Sequence, residues 1–295
     1  VEAVLPTKKL RCKKPTFEAG GGGINVSKAL SKLSCHSKCI YLSGGRTGHH
    51  LSELLKGELI DQSVINIAGF TRENLIVTDS STKKQYRFGM PGPTITRDEK
   101  DQVIEFLWTH LKEGDYLVAS GSLPPGLPTG FYAQVATLAK KKKVKLILDS
   151  SGLPLLKAAQ KGVYLMKPNL GELSFLSGKE RLTTNHVEEV SRDILKKGFC
   201  EILIVSLGPR GALLVTSDQL KYVSAPTVYQ KSAVGAGDSM VAGIVKGLLE
   251  DMPLLDVTKY GVACGTAATM TEGTQLFRKK DVDQLYRWLQ RDRDS

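Results

Sequence analysis

Several scarcities narrow what this chain can be. Its five cysteines, Cys12, Cys35, Cys39, Cys200 and Cys264, are odd in number and scattered. The one close pair, Cys35 and Cys39, has no second pair to complete a zinc site, so the set reads as reduced and mostly structural. Histidine is equally sparse, and His49 and His50 are adjacent, so they point apart on either a helix or a strand and offer no metal centre. No run of about 18 or more apolar residues occurs, so no membrane-spanning helix is expected. Val1 to Lys14 is rich in Lys and lacks a continuous apolar middle, which does not fit a secretory signal; a cytoplasmic address is expected.

Aromatic residues make up only 6% of the chain, which matters because of its charge. Lys and Arg number 41 against 30 Asp and Glu, a net charge of +11. Such a surplus fits nucleic acid, an anionic membrane or a polyanionic small substrate. The sharpest run, Lys140 to Lys143 followed by Lys145, closes an expected helix, where cations suit the C-terminus. No aromatic residue interleaves with it as a base-stacking platform requires. The expectation is no nucleic-acid partner and no membrane partner, with a nucleic-acid-binding protein kept as a rival of another class.

What is present is enough for one large α/β core: 295 residues, 41% of them hydrophobic. From about Val103 onward, short apolar runs alternate with segments of helical period, the pattern of a parallel sheet covered by helices. Tyr116 to Ala119, Val144 to Leu148, Val163 to Met166 and Ile202 to Val205 are the expected strands. Gly130 to Lys141, Val187 to Lys197 and Gly237 to Leu249 are the expected helices. The strands end at Ser120, Asp149, Lys167 with Asn169, and Ser206, which should line one crevice, since ligands of open α/β sheets bind beyond the strands' carboxyl ends. Before Val103, Asn74 to Thr78 and Gln85 to Phe88 read as antiparallel strands of a small β lid, with Leu10 to Cys12 and Thr16 to Glu18 as expected partner strands.

The segment Val234-Gly235-Ala236-Gly237-Asp238-Ser239 opens a small-residue helix, and its glycines let successive backbone N–H groups converge where the helix dipole favours an anion. Asp238 beside that hole is a candidate general base; as a bare residue it reads equally as a helix cap. Gly20-Gly21-Gly22-Gly23-Ile24-Asn25 lets backbone approach a ligand and turn into a helix. A dinucleotide fingerprint would need a preceding apolar strand and a later acidic residue, and both are missing. Asn169 and Glu172 in Lys167-Pro168-Asn169-Leu170-Gly171-Glu172, and the tight turn Ser206-Leu207-Gly208-Pro209-Arg210-Gly211, complete the set.

In this order the four motifs resemble the PfkB (ribokinase-like) family of sugar kinases, over essentially the whole chain. The resemblance implies a three-layer ribokinase-like fold, a mostly parallel sheet flanked by helices with a β lid drawn from about residues 8–19 and 72–90, in a single domain over residues 1–295. It implies ATP with Mg²⁺ placed by Asn169 and Glu172, Asp238 as catalytic base with Gly235, Ala236 and Gly237 as anion hole, and Lys167, Asn169, Ser206, Gly208 and Gly211 on the nucleotide. Further stretches, among them Lys9-Leu10-Arg11-Cys12, Thr71-Arg72-Glu73-Asn74 and Ser120-Gly121-Ser122, resemble the phosphofructokinase-like branch. They imply Lys9, Arg11, Gly22, Gly23, Asn25, Arg72 and Ser122 on a sugar phosphate, fructose 6-phosphate first, with tagatose 6-phosphate and fructose 1-phosphate as alternatives. A non-catalytic sugar or nucleotide sensor is the remaining alternative. A homodimer through the lid sheet is expected. Two departures stand out: the family's first strand and its Asp are not found ahead of the lid, and Thr271 and Gln275 stand where that branch has Asn and Arg. Ser232, Val234, Ala268 and Gly273 remain as candidate K⁺ ligands.

Overall fold

The computed structural model describes residues 1–179, 182, 184–273 and 275–291. In chain order it runs α1 (Gly22–Lys32), β1 (Lys38–Ser43), α2 (Gly45–Lys56), β2 (Asp61–Asn66), β3 (Leu75–Thr78), β4 (Gln85–Phe88), α3 (Arg97–His110), β5 (Tyr116–Ser120), α4 (Phe131–Lys141) and β6 (Lys145–Asp149). There follow α5 (Gly152–Ala159), β7 (Val163–Met166), α6 (Leu170–Ser177), α7 (Thr184–Lys196), β8 (Cys200–Ser206), β9 (Ala212–Val215), β10 (Leu220–Val223), α8 (Ala236–Leu249), α9 (Leu254–Thr269) and α10 (Lys279–Arg291).

Six strands make the main sheet in the order β10-β9-β8-β7-β6-β5. Strands β5 to β8 are parallel, while β9 and β10 turn back antiparallel at one edge. Both faces are covered, so the strands are apolar at nearly every position and successive residues feed opposite layers. Leu146 and Leu148 of β6, Leu203 and Val205 of β8, and Leu213 and Val215 of β9 pack with α4, α5 and α7. The alternating residues Ile147, Ile202, Ile204 and Leu214 pack instead with α1, α8, α9 and α10. The result is three layers, as expected, and each expected strand and helix from Val103 onward is present to within a few residues.

The N-terminal third differs from expectation. Strands β1 and β2 form a separate parallel pair, and α1 packs against both β1 and β5. The lid is a two-stranded antiparallel hairpin, β3 with β4. Its expected partners do not form: residues 8–18 hold no regular secondary structure and are exposed throughout. Pro15 has no N–H to give to a ladder. The backbone instead reaches the lid through its first four residues. Ser80 and Ser81 N–H groups donate to the Val1 and Glu2 carbonyls at 3.1 and 3.0 Å, and Val4 N–H donates to Asp79 Oδ2 at 2.9 Å.

Candidate active site

The carboxyl ends of the parallel strands and the N-termini of α1 and α8 meet at one edge of the sheet. Gly235, in the left-handed region at φ 73°, caps α8 and turns the chain so that Ala236, Gly237 and Asp238 form its first turn. Their amide groups have no partner inside the helix, which makes this end an anion hole. Asp238 Oδ2 accepts a hydrogen bond of 2.8 Å from Asn25 Nδ2 on α1. The two glycine-opened helices are thereby tied together at the residues expected to serve sugar and phosphoryl group. Burial raises the Asp238 carboxyl above the ordinary aspartate range, helped by the Asp149 charge and opposed by hydrogen bonds from Asn25 and Ser120 and by the Lys167 charge.

Helix α1 comes close enough for this contact because Gly22 has no side chain. A Cβ there would lie 2.3 Å from Ser120 Oγ and 3.1 Å from Gly121 N, in the turn that ends β5. Ser122, two residues beyond Ser120, is exposed on the same turn. The glycine motif thus serves packing as well as ligand approach.

A buried cation stands beside the anion hole. Lys167 Nζ lies 3.1 Å from Asp149 Oδ1, with their side chains 5% and 14% exposed, and it comes within 3.7 Å of the place a Cβ on Gly237 would occupy. A charge this buried persists when it is paired. Asp149, at the end of β6, had a place in the expected crevice but no role. The structure gives it one, as partner of the lysine at the hole.

Asn169 and Glu172 are held differently from a simple ligand pair. Asn169 Oδ1 accepts from Glu172 N–H at 2.9 Å and Glu172 Oε2 accepts from Asn169 N–H at 2.8 Å, a reciprocal capping box that starts α6. One of the two acceptor positions of the Asn169 oxygen is used at the helix start. Glu172 keeps its second oxygen; burial raises its carboxyl, Lys167 pulls it down and Asp149 pushes it up. These opposing influences place Glu172, Asp149 and Lys167 in one electrostatic neighbourhood.

Ser206 joins the group through backbone: its N–H donates to the Pro168 carbonyl at 2.8 Å, and it bridges to Asn169 at the next strand end. The turn from Gly208 to Gly211 follows directly. Gly211, at φ 100°, is fixed by the fold itself, since a Cβ there would sit 1.9 Å from Val223 O on β10. Its glycine is accounted for without a ligand.

Two further expected groups lie outside this cluster. Lys9 and Arg11 lie on the exposed N-terminal strap, and Arg72 is exposed at the entry to the lid, with no hydrogen bond or ion pair to the strand ends among the described residues. In the candidate K⁺ set, the loops of Ser232 and Ala268 do meet, because Lys231 and Ser232 N–H groups both donate to Thr269 O, at 2.8 and 3.2 Å. Thr271 N–H donates to the Ala268 oxygen at 3.3 Å, its Oγ1 lies in reach of both the Ala268 and Leu276 oxygens, and Val234 N–H donates to Ser232 Oγ at 3.1 Å. The set stays a candidate through its backbone carbonyls, with the Ala268 oxygen shared with Thr271.

A carboxylate in reach of a glycine-built anion hole, with a buried ammonium beside it and open carbonyl-end loops around it, defines a phosphotransferase site for a hydroxyl acceptor. The chain belongs to the pfkB family of carbohydrate kinases, whose description matches residues 1–281. It is 40% identical over 293 residues to the ATP-dependent 6-phosphofructokinase isozyme 2 of Escherichia coli strain K12, covering 98% of this chain and 93% of the relative. It is 33% identical over 260 residues to a 1-phosphofructokinase of Bacillus subtilis strain 168, covering 88% and 84%. The crystal structure of the Escherichia coli phosphofructokinase-2 in complex with potassium superposes at a TM-score of 0.94, with 40% identity and coverage of 97% and 93%.

Proposed function

We propose that this kinase transfers the γ-phosphoryl group of MgATP to the free primary hydroxyl of fructose 6-phosphate, giving fructose 1,6-bisphosphate and ADP. The Asp238–Asn25 contact of 2.8 Å at the mouth of α8 carries the reading, because it holds a proton acceptor, a sugar-facing amide and an anion hole within one another's reach. Asp238 takes the hydroxyl proton as the new P–O bond forms and the bond to the ADP oxygen breaks. The Ala236 and Gly237 N–H groups and the Lys167 ammonium face the charge on the transferring group. Phosphoryl transfer asks the protein mainly for such positioning and neutralisation.

The donor set near α6 fits Mg²⁺, a hard ion that takes one or two carboxylates and keeps several waters. Glu172 and Asp149 would hold it, with Asn169 fixing Glu172 through the capping box, and Mg²⁺ supplies neutralisation of the nucleotide phosphates. Gly22, Gly23, Asn25 and Ser122 are assigned to the sugar, with Lys9, Arg11 and Arg72 to its phosphate. Their exposure supports a role completed when the lid closes on substrate and excludes water. Ser206 and Gly208 are assigned to the nucleotide.

The hairpin supports a homodimer. In its register Leu75 faces Phe88 and Val77 faces Tyr86, so one side is apolar but for the Tyr86 hydroxyl, while Ile76 with Arg87 and Thr78 with Gln85 make the other. Leu75 and Phe88 are about half exposed, at 51% and 48%, and an isolated two-stranded sheet is marginal in water. A second copy of the same face would cover it. We place the chemistry in the cytoplasm, where the five free thiols stay reduced.

The decisive assay is ADP release with fructose 6-phosphate, tagatose 6-phosphate, fructose 1-phosphate and unphosphorylated sugars. The highest kcat/KM is expected with fructose 6-phosphate. A preference for either alternative phosphate would replace the substrate, and sugar binding with no ADP release would leave a sensor in place of an enzyme.

A further inference from the structure

The edge of the sheet opposite the active site carries a concentration of lysine that catalysis does not use. Because β5 to β8 are parallel, their N-terminal ends and the C-termini of the helices before them share that edge, and four consecutive loops lie side by side there. Residues 110–116, 140–145, 160–163 and 196–201 hold nine lysines and three carboxylates, an excess of six out of the chain's +11. Lys143 pairs with Glu113 at 3.0 Å, but Lys112, Lys140, Lys141, Lys161, Lys196 and Lys197 make no ion pair among the described residues. One or two cations would suffice to complement each helix end, and the loop at 140–145 alone carries five.

The sequence alone showed no aromatic residue within the basic run, yet the fold brings three to it. Lys142 lies over the Trp108 ring at 5.2 Å from its centroid, and Lys145 lies over Tyr116 and Tyr164, each at 5.1 Å. Each of these rings carries a lysine ammonium group of the edge itself over one face. The edge holds no arginine, so it lacks the planar fork that reads bases and phosphates bidentately. What remains is a broad array of compact point charges. Neighbouring strands lie about 4.8 Å apart, so four loops span roughly 15 Å, and lysines this close act together within a Debye length of about 8 Å. Trp108, 52% exposed at the rim, is suited to the headgroup level of a bilayer.

We propose that this lysine edge docks the protein on anionic lipid surfaces, with the catalytic edge facing the solution. The expected association is peripheral, electrostatic and reversible, and it revises the expectation of no membrane partner. Co-sedimentation of the full chain with phosphatidylcholine vesicles carrying about one third phosphatidylserine tests it. Binding is expected at low salt, and it should be lost at about 0.5 M salt. The triple variant Lys112→Glu, Lys141→Glu, Lys161→Glu should partition about a hundredfold more weakly, while the corresponding Lys→Arg triple keeps its binding. Both variants should keep the wild-type unfolding midpoint and turnover. Equal binding to pure phosphatidylcholine vesicles, no binding to either vesicle, or displacement of bound protein by a polyuridine oligonucleotide at equal phosphate concentration would overturn the proposal.

Discussion

The catalytic edge and the lid solve the problem of holding charge in opposite ways. At the catalytic edge each charged group is at least partly buried and spoken for: Asp238 by Asn25, Lys167 by Asp149, Glu172 by Asn169. On the lid and the strap before it, Lys9, Arg11 and Arg72 are exposed. The difference teaches which residues are set before substrate arrives. The groups proposed to react are pre-organised on strand ends and helix mouths of a rigid scaffold, whereas the cations proposed to meet the substrate's own phosphate stand on exposed segments. Removing a group from the first region should therefore damage rate or stability, and removing one from the second should damage affinity alone.

The largest effect is expected at Asp238. Asp238→Asn keeps an acceptor for Asn25 Nδ2 but removes the base, so kcat should fall by about 10²–10⁴. Nucleotide binding, followed by titration, and the unfolding midpoint should not fall. Turnover near that of the wild type would erase the contrast between the two regions at its strongest point.

That contrast also marks what could be read from the chain in advance. That Asp238, Asn25 and Lys167 would meet at one edge was legible because each sits in a short segment where glycine or a strand end confines the backbone, and local confinement is written in consecutive residues. Strands β6 to β8 were legible as apolar runs. The β1–β2 pair went unread: β1 alternates buried with less buried positions, but in β2 only Ile65 is buried. The partnership of Asp149 with Lys167 joins two strand ends, and no spacing rule connects them. The strap was misread because short runs such as Thr16-Phe17-Glu18 have strand composition, yet no strand pairs with them among the described residues. The use of the Ala268 oxygen by Thr271 depends on how one loop folds back, which its composition does not state.

Lys167→Met should come next. It leaves Asp149 buried without its partner, a change that costs about 3–5 kcal/mol where a buried pair is broken. Urea unfolding should show that loss, and the double variant Asp149→Asn, Lys167→Met should recover part of it. Full stability in the single variant would mean that the pair is solvated and that the catalytic edge is no more rigid than the lid.

Arg72→Ala tests the other side of the comparison. A charge-assisted hydrogen bond formed only in the complex contributes about 1.5–3 kcal/mol, so KM for the sugar phosphate should rise about 10- to 100-fold. KM for ATP and the unfolding midpoint should stay put. A loss of kcat with KM unchanged would place Arg72 with the reacting groups and blur the division.

The smallest expected effect is a shift with pH, and its sign separates function from stability at one residue. Burial, with Asp149 nearby, raises the Asp238 carboxyl above the ordinary aspartate value. As a base it must be ionised, so the acid limb of kcat/KM should fall at a higher pH than an ordinary aspartate would give. For folding the same shift works the other way. A carboxyl whose folded pKa exceeds its unfolded pKa binds more protons in the folded state, so stability declines as pH rises from the unfolded to the folded value. Across that window the enzyme gains rate while the fold loses stability. In Asp238→Asn nothing titrates at this position, so the urea midpoint should lose that part of its pH dependence. An acid limb at the ordinary aspartate position, or identical stability profiles for the two proteins, would show that Asp238 is as solvated as the lid cations.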